Sequence, residues 1–181
     1  MAFHHLAVAT KDALANDVFY ERVMGFKLMK VEVGQTQNGW AKHLFYDTGN
    51  GEMIAFWEIH DEVIGQDFPT ALSEGMGLPI YINHIAFHSK DLADIESRKN
   101  RWLDAGYDVM EIDHHWCTSV YTTDPNGTLV EFCTMTRELG DSDRREAREL
   151  LVAKSPATVP PKSQKFHKAS REPLHLSATS R

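Results

Sequence analysis

Two histidines and one glutamate stand out for where they fall in the chain. His5 and His84 open short apolar runs, HLAVAT and HIAFH, and Glu131 interrupts a third, LVEFC. Alternate residues of a strand point to one face. His5 would therefore share its face with Ala7 and Ala9, His84 with Ala86, and Glu131 with Leu129 and Cys133. Taken singly, a strand histidine is ordinarily a hydrogen-bonded structural residue, and a strand glutamate ordinarily faces water. Together they change the balance, because a carboxylate in an apolar run needs a cation or donors beside it. Two imidazoles and a carboxylate on one face of a divalent ion form the ligand arrangement of non-haem iron(II) oxygenases. The chemistry expected is thus metal-dependent, with His5, His84 and Glu131 as ligands.

The elements that must position these groups occur twice. HHLAVATKDALANDVFYERVMGF, from His4, and NHIAFHSKDLADIESRKNRWLDAGY, from Asn83, share one order: histidine, short apolar strand, aspartate, amphipathic helix, glycine, aromatic. In both, the aspartate lies seven residues after the histidine, His5 to Asp12 and His84 to Asp91, a register that selects His5 over His4. Leu14, Val18 and Phe19 mark one helix face, and Leu92, Ile95, Trp102 and Leu103 the other, with Gly25 and Gly106 where the helices stop. The module ends, FYDTGNGEMIAFWE and YTTDPNGTLVEFCT, superpose Asn50-Gly51 on Asn126-Gly127. Asn-Gly supplies the positive φ of a tight hairpin, so each half closes with one.

One module has too little sheet to cover itself. The expected fold class is α+β, two βαβββ modules whose sheets curve into a half-barrel with a metal cleft on the concave face. The first module takes residues 1–60 and the second 80–136, joined by a linker over 61–79. A C-terminal helix over 137–153 and an extended basic tail over 154–181 follow. From Lys154 on, six Lys and Arg face one Glu, which suggests a solvated tail or an arm laid on a neighbouring subunit.

A formal net charge of −7 argues against nucleic acid, whose phosphates need clustered cations. No apolar run reaches the ~20 residues of a spanning helix, so no membrane partner is expected. The start, MAFHHLAVATKD, lacks a signal peptide's basic region and cleavage site, so a cytoplasmic location is expected. The two cysteines, Cys117 and Cys133, lack the spacing of a zinc or redox motif and read as small buried apolar residues.

Residues 3–136 resemble the vicinal oxygen chelate superfamily, which includes glyoxalase I, fosfomycin and bleomycin resistance proteins, and extradiol ring-cleaving dioxygenases. The resemblance implies the paired βαβββ modules, puts its metal positions on His5, His84 and Glu131, and implies a homodimer. The stretch Ile112 to Glu131, with His114, Val120-Tyr121, Asp124-Pro125, Gly127 and Glu131, is similar to the extradiol signature throughout. Tyr121 and His114 are accordingly the catalytic candidates. Tyr121 would hydrogen-bond a substrate oxygen, and His114 would stabilise reduced oxygen or donate a proton.

Two departures matter. Ala55 falls opposite Glu131 in the superposed hairpins, where glyoxalase I-like members carry a fourth ligand, and Phe45 falls where the second module has Tyr121. Three ligands leave room for a bidentate substrate and dioxygen, and one site per chain follows. Glu58, of opposite parity, is the competitor for the fourth position and reads as a surface residue. The histidine that similar extradiol enzymes use as acid/base is missing, leaving Glu52, His43 or His60 as replacements. The expectation is a Fe(2+) enzyme, with Mn(2+) or another divalent ion as alternative. It would cleave a catechol-like small molecule with dioxygen, Met53 and Trp57 lining the ring pocket. A glyoxalase-like isomerase, a fosfomycin-resistance-like thiol transferase and a non-catalytic binding protein are the alternatives.

Overall fold

The structure, a computed structural model, describes residues 3–174. The first half runs through β1 (His5–Thr10), α1 (Ala13–Asp17), a π-helical turn continuing it over Val18–Val23, β2 (Lys27–Thr36), β3 (Gly39–Gly49) and β4 (Glu52–Asp61). The second repeats the order with β5 (His84–His88), α2 (Leu92–Asp104), β6 (Val109–Asp113), β7 (Cys117–Thr123) and β8 (Leu129–Met135). A single 3-10 turn, Glu74–Met76, lies between them; α3 (Asp141–Val152) and β9 (Ser163–His167) follow. The α+β fold with two βαβββ modules is the one expected.

The repeat extends to the hydrogen-bond ladders. Strand order is β1-β4-β3-β2 in one sheet and β5-β8-β7-β6-β9 in the other. In each, the first strand runs parallel to the last of its module, and β2, β3 and β4, like β6, β7 and β8, pair antiparallel. The repeated aspartates start the helices: Asp12 accepts from the Leu14 and Ala15 amides at 3.0 and 2.9 Å, and Asp91 from Asp94 at 2.8 Å. Each occupies an N-cap, where a carboxylate satisfies amides the helix itself cannot.

One core serves both halves. Phe19, Tyr20 and Val23 from the first helical segment join Tyr46, Ile54 and Phe56 of the first sheet, and Ile95 and Trp102 of α2 join Val120, Val130 and Phe132 of the second. Phe26 packs edge-on to Phe87 with centroids 4.9 Å apart, and Arg98 lies 4.4 Å over the Phe132 ring while donating to the Met24 carbonyl. Strand alternation then decides the rest: what does not face this core is turned away from it, and that outer set contains His5 in one sheet and His84 with Glu131 in the other.

The two hairpins differ from the symmetric pair expected. Asn50 and Gly51 both take positive φ, 54° and 78°, whereas in the second hairpin Gly127 alone does, at 79°. Asp124 is the reason. Its carboxylate accepts from the Asn126 and Thr128 amides at 2.9 and 2.8 Å and from the Tyr20 hydroxyl at 2.8 Å, bending the chain before the glycine. The basic tail, expected to be solvated or laid on a neighbour, instead adds β9 antiparallel to β6. The end of that expected segment, residues 175–181, lies outside the described residues.

Candidate functional site

The parallel pair β5 and β8 sets Ala86 beside Glu131 and His84 beside Leu129, so His84 and Glu131 project from the same face one pleat apart. The His84 Nε2 lies 3.0 Å from the Glu131 Oε2. The other ring nitrogen, Nδ1, is 3.0 Å from the Tyr81 carbonyl oxygen, which can only accept, so Nδ1 carries the proton that it donates. With its single N–H there, the ring turns an Nε2 lone pair on the carboxylate oxygen; with both nitrogens protonated, it donates to that oxygen. Two lone pairs at that separation repel unless a cation lies between or beside them. Cis ligands about 2.1 Å from one divalent ion stand about 3.0 Å apart, so His84 and Glu131 fit such an ion. The backbone acceptor behind Nδ1 is the usual support of a ligating histidine. Glu131 is only 5% exposed.

Tyr121 and His114 extend the same wall. Tyr121 on β7 is directly opposite Glu131, and its hydroxyl is 3.0 Å from His114 Nε2. Burial above all, and the Glu131 carboxylate nearby, push the Tyr121 hydroxyl well above the ordinary phenol range, so it remains a proton donor at neutral pH. His114 is held by the tight β6–β7 turn, where its amide donates to the Cys117 carbonyl and His115 takes φ 72°. A non-glycine residue in the left-handed region is strained, and strain of this kind persists where the surroundings fix it. Here the Asp113 carboxylate accepts from the His115 amide at 2.9 Å.

His5 belongs to the other sheet. It pairs with Met53, and Ala7 with Ala55 and Ala9 with Trp57, so Met53, Ala55 and Trp57 share its outer face. Its Nδ1 contacts His4 Nδ1 at 2.8 Å, and its ring lies 6.0 Å from His43 and 5.5 Å from Phe45. Among the described residues no three His, Cys, Asp or Glu gather as a metal cluster. One chain therefore joins two of the three expected ligands, and the shared helical core is what keeps the third apart.

Of the three candidates for the missing base, only His43 lies on the His5 face. It stacks on Trp57 at 3.8 Å and 13°, and its buried Nε2 has no hydrogen-bond partner. Burial lowers its pKa, which favours the neutral, proton-accepting ring. His60 has the opposite strand parity and stacks on Trp40 while bonding Glu58 at 2.9 Å, and Glu52 has that parity too.

The model of the Glyoxalase/Bleomycin resistance protein/Dioxygenase superfamily matches residues 2–132. The chain belongs to this superfamily. No protein of curated function matches it in sequence. Among solved structures it is similar to the glyoxalase family protein from Enterococcus faecalis, at 18% identity and TM-score 0.55 over 74% of this chain and 97% of that one. It is also similar to a glyoxylase/bleomycin resistance protein/dioxygenase domain from Frankia sp. EAN1pec, at 14% identity and TM-score 0.57 over 75% and 98%. A third is TnmS3, an antibiotic binding protein from Streptomyces sp. CB03234, at 14% and 0.52 over 75% and 97%. At such identities these structures carry the fold alone. The superfamily holds enzymes and non-catalytic binding proteins, and its members commonly bind divalent metals.

Within this superfamily member, Glu58 corrects one expectation. It is buried, not a surface residue, and faces the helices: its carboxylate accepts from the Ala13 amide at 2.8 Å, Lys42 at 2.7 Å and His60. Burial alone would raise its pKa, but these donors together bring it down to about 2. That role is anchoring a helix start, not ligation. The Tyr81 carbonyl, which sets the His84 tautomer, had no sequence signal because any residue supplies it. Among the described residues no helix is long and apolar enough to cross a membrane.

Proposed function

We propose that the chain is a divalent-metal enzyme acting on a small aromatic molecule with two vicinal hydroxyls, of the extradiol ring-cleaving kind. His84 and Glu131 hold the ion from one copy and His5 from a second copy of the chain. The observation that carries this reading is His84 Nε2 lying 3.0 Å from the Glu131 carboxylate while Nδ1 is held 3.0 Å from the Tyr81 carbonyl oxygen. A homodimer supplies the third ligand because each copy turns a lone histidine outward on one sheet and a histidine-carboxylate pair outward on the other. Fe(2+) is the ion expected with dioxygen, and Mn(2+) the alternative.

Held by these residues, such an ion would supply Lewis acidity toward a catechol hydroxyl and open positions for dioxygen. The remaining work falls to this chain's own groups. The Tyr121 hydroxyl donates a hydrogen bond to the nearer substrate oxygen, and His114, 3.0 Å behind it, exchanges the proton that Tyr121 gives up or takes back. His43 arrives with His5 from the second copy, its ring stacked on Trp57 on the same face. Met53 and Trp57 come on the same face and exclude water from the ring.

The test is elemental analysis of anaerobically purified protein, oxygen uptake on a panel of catechols, and complementation. His5→Ala and Glu131→Ala proteins are each inactive. Refolded together they regain about one quarter of wild-type uptake, because half the dimers then carry one intact site of two. No recovery on mixing overturns the shared site, metal without uptake overturns ring cleavage, and protein that takes up no metal points to a non-catalytic binding protein.

A further inference from the structure

The repeat leaves His4 without a role, since its register selects His5 as the opening histidine and sets Asn83 at the place of His4. The two residues are used differently. Asn83 turns back to the linker, its side-chain amide donating to the Leu72 carbonyl at 3.3 Å, and His84 finds the acceptor for its Nδ1 in the Tyr81 carbonyl. His4 turns forward. Its carbonyl accepts from the Met53 amide at 3.1 Å, which ties its backbone to β4, and its ring meets that of His5 with the Nδ1 atoms 2.8 Å apart. The two rings stand edge to face, with centroids 5.0 Å apart and planes at 75°. Phe45, its centroid 5.5 Å away, borders the His5 ring as well.

Two imidazole nitrogens at 2.8 Å share one proton. Two N–H groups would collide there and two bare nitrogens would repel, so with both rings neutral one Nδ1 donates and the other accepts. A neutral ring ligates a divalent ion through its bare nitrogen. If His4 holds the shared proton, His5 carries its own on Nε2 and has no lone pair there for an ion. If His5 holds it, the His5 Nε2 is bare. Only the second arrangement makes His5 a ligand through Nε2. It gives His5 what the Tyr81 carbonyl gives His84, an acceptor behind Nδ1 that fixes tautomer and ring orientation together.

We infer that His4 is a positioning residue of the metal centre: its Nδ1 accepts the His5 Nδ1 proton and so leaves the His5 Nε2 lone pair for the ion. The inference rests on the proposed function for the ion and its ligands, and on this contact for the role of His4. The two sheets then present equivalently supported histidines, one backed by an imidazole and the other by a backbone carbonyl. Loss of such a support ordinarily costs roughly 10- to 100-fold in metal affinity. Both rings are exposed, so water replaces the acceptor in part, and the effect belongs at the lower end, about tenfold.

Titration of the full chain with Mn(2+), followed by loss of the free ion's EPR signal, tests this on His4→Ala, His4→Asn, His4→Gln and His5→Ala. His4→Ala should bind about tenfold more weakly at unchanged stoichiometry, and His5→Ala, which removes the ligand itself, should lose far more. Asparagine sets its side-chain oxygen where the imidazole has Nδ1, so His4→Asn should recover most of the loss. Glutamine sets its oxygen near the Nε2 position and should not. In the Zn(2+)-loaded chain, NMR of the ring nitrogens should find His5 protonated at Nδ1, and that proton should exchange faster with water in His4→Ala. Thermal melts of the variants check folding. Unchanged affinity in His4→Ala, recovery by glutamine alone, or a loaded His5 protonated at Nε2 overturns the role of His4 and leaves the ion in place. No binding by the wild type, or full affinity in His5→Ala, overturns the ligand set itself and the support with it.

Discussion

The same rank of residues, compared between the two sheets, separates scaffold from chemistry. In the first sheet it runs Ala7, Ala55, Phe45, Lys30; in the second, Ala86, Glu131, Tyr121, Met110. Strand order, register and the opening histidine are common to both. The carboxylate and the phenol occur only in the second, where the first has a methyl and a phenyl. A duplicated frame therefore holds two geometrically equivalent positions, and the groups proposed as anionic ligand and hydrogen-bond donor fall in one of them. The first sheet contributes instead His5, His43 and an apolar, aromatic wall of Phe45, Met53 and Trp57.

The sharpest way to break that contrast is to make the second rank resemble the first. Glu131→Ala should abolish metal uptake and lower oxygen consumption at least about a thousandfold, because the ion loses its anionic ligand and His84 faces an empty site. Metal content by elemental analysis is the deciding measurement. Full occupancy in this variant would remove Glu131 from the ligand set. Tyr121→Phe is the gentler half of the same conversion. Metal content should stay at the wild-type level while kcat falls about 10- to 100-fold with KM little changed, the pattern of a hydrogen bond made mainly in the transition state. A rise in KM alone would reassign Tyr121 to substrate binding.

What the sequence disclosed follows from the range of the physics involved. The repeat, the strand parity and the equivalence of Ala55 with Glu131 and of Phe45 with Tyr121 are local patterns of period two, and the ladders reproduce them residue for residue. The aspartates seven residues past each histidine are caps for the same reason. His5 meeting His84 within one chain is different, because it depends on how two sheets pack. Packing was decided by Phe19, Tyr20, Phe26, Phe87 and Trp102 binding the helical faces together. Glu58 was misjudged because its partners, Ala13 and Lys42, come from an adjoining helix and strand. β9 was missed because a five-residue edge strand inside a Pro- and Ser-rich tail has almost no pattern of its own.

Glu58 also extends the comparison to the inner faces. The superposed hairpins put Thr134 at its place in the second module, where α2 is tied to its sheet from elsewhere, by Lys99 donating to Glu111 of β6 at 2.9 Å. Its pKa of about 2, against an ordinary 4.5, means that the folded state prefers the ionised form. The stabilisation is full above about pH 4.5 and is lost as pH falls from there toward 2. Since Lys42 and His60 are partly exposed, the shift is discounted for screening to on the order of 2 kcal/mol. Urea unfolding should therefore find Glu58→Gln less stable by that amount at pH 7, with the difference shrinking steadily below pH 4.5. A constant difference across that window would mean the loss comes from packing and not from the charge.

The smallest expected effect lies in the paired caps. Asp12→Ala and Asp91→Ala each remove an N-cap, a change worth about 1 kcal/mol. The two should not be equal. Asp12 satisfies two amides, Leu14 and Ala15, at the start of a five-residue helix that passes at once into a π-helical turn, while Glu58 holds only the Ala13 amide. Asp91 satisfies one amide at the start of a regular thirteen-residue helix, and Asp94, bonded to Ser89 at 2.5 Å, already secures the chain just ahead of it. Asp12→Ala should thus lower stability by about 1.5 kcal/mol and Asp91→Ala by about half that. Hydrogen exchange localises the difference, with amides 13–16 losing protection in the first variant and only amide 94 in the second. Equal losses would show that the shared core, rather than local capping, holds both helix starts.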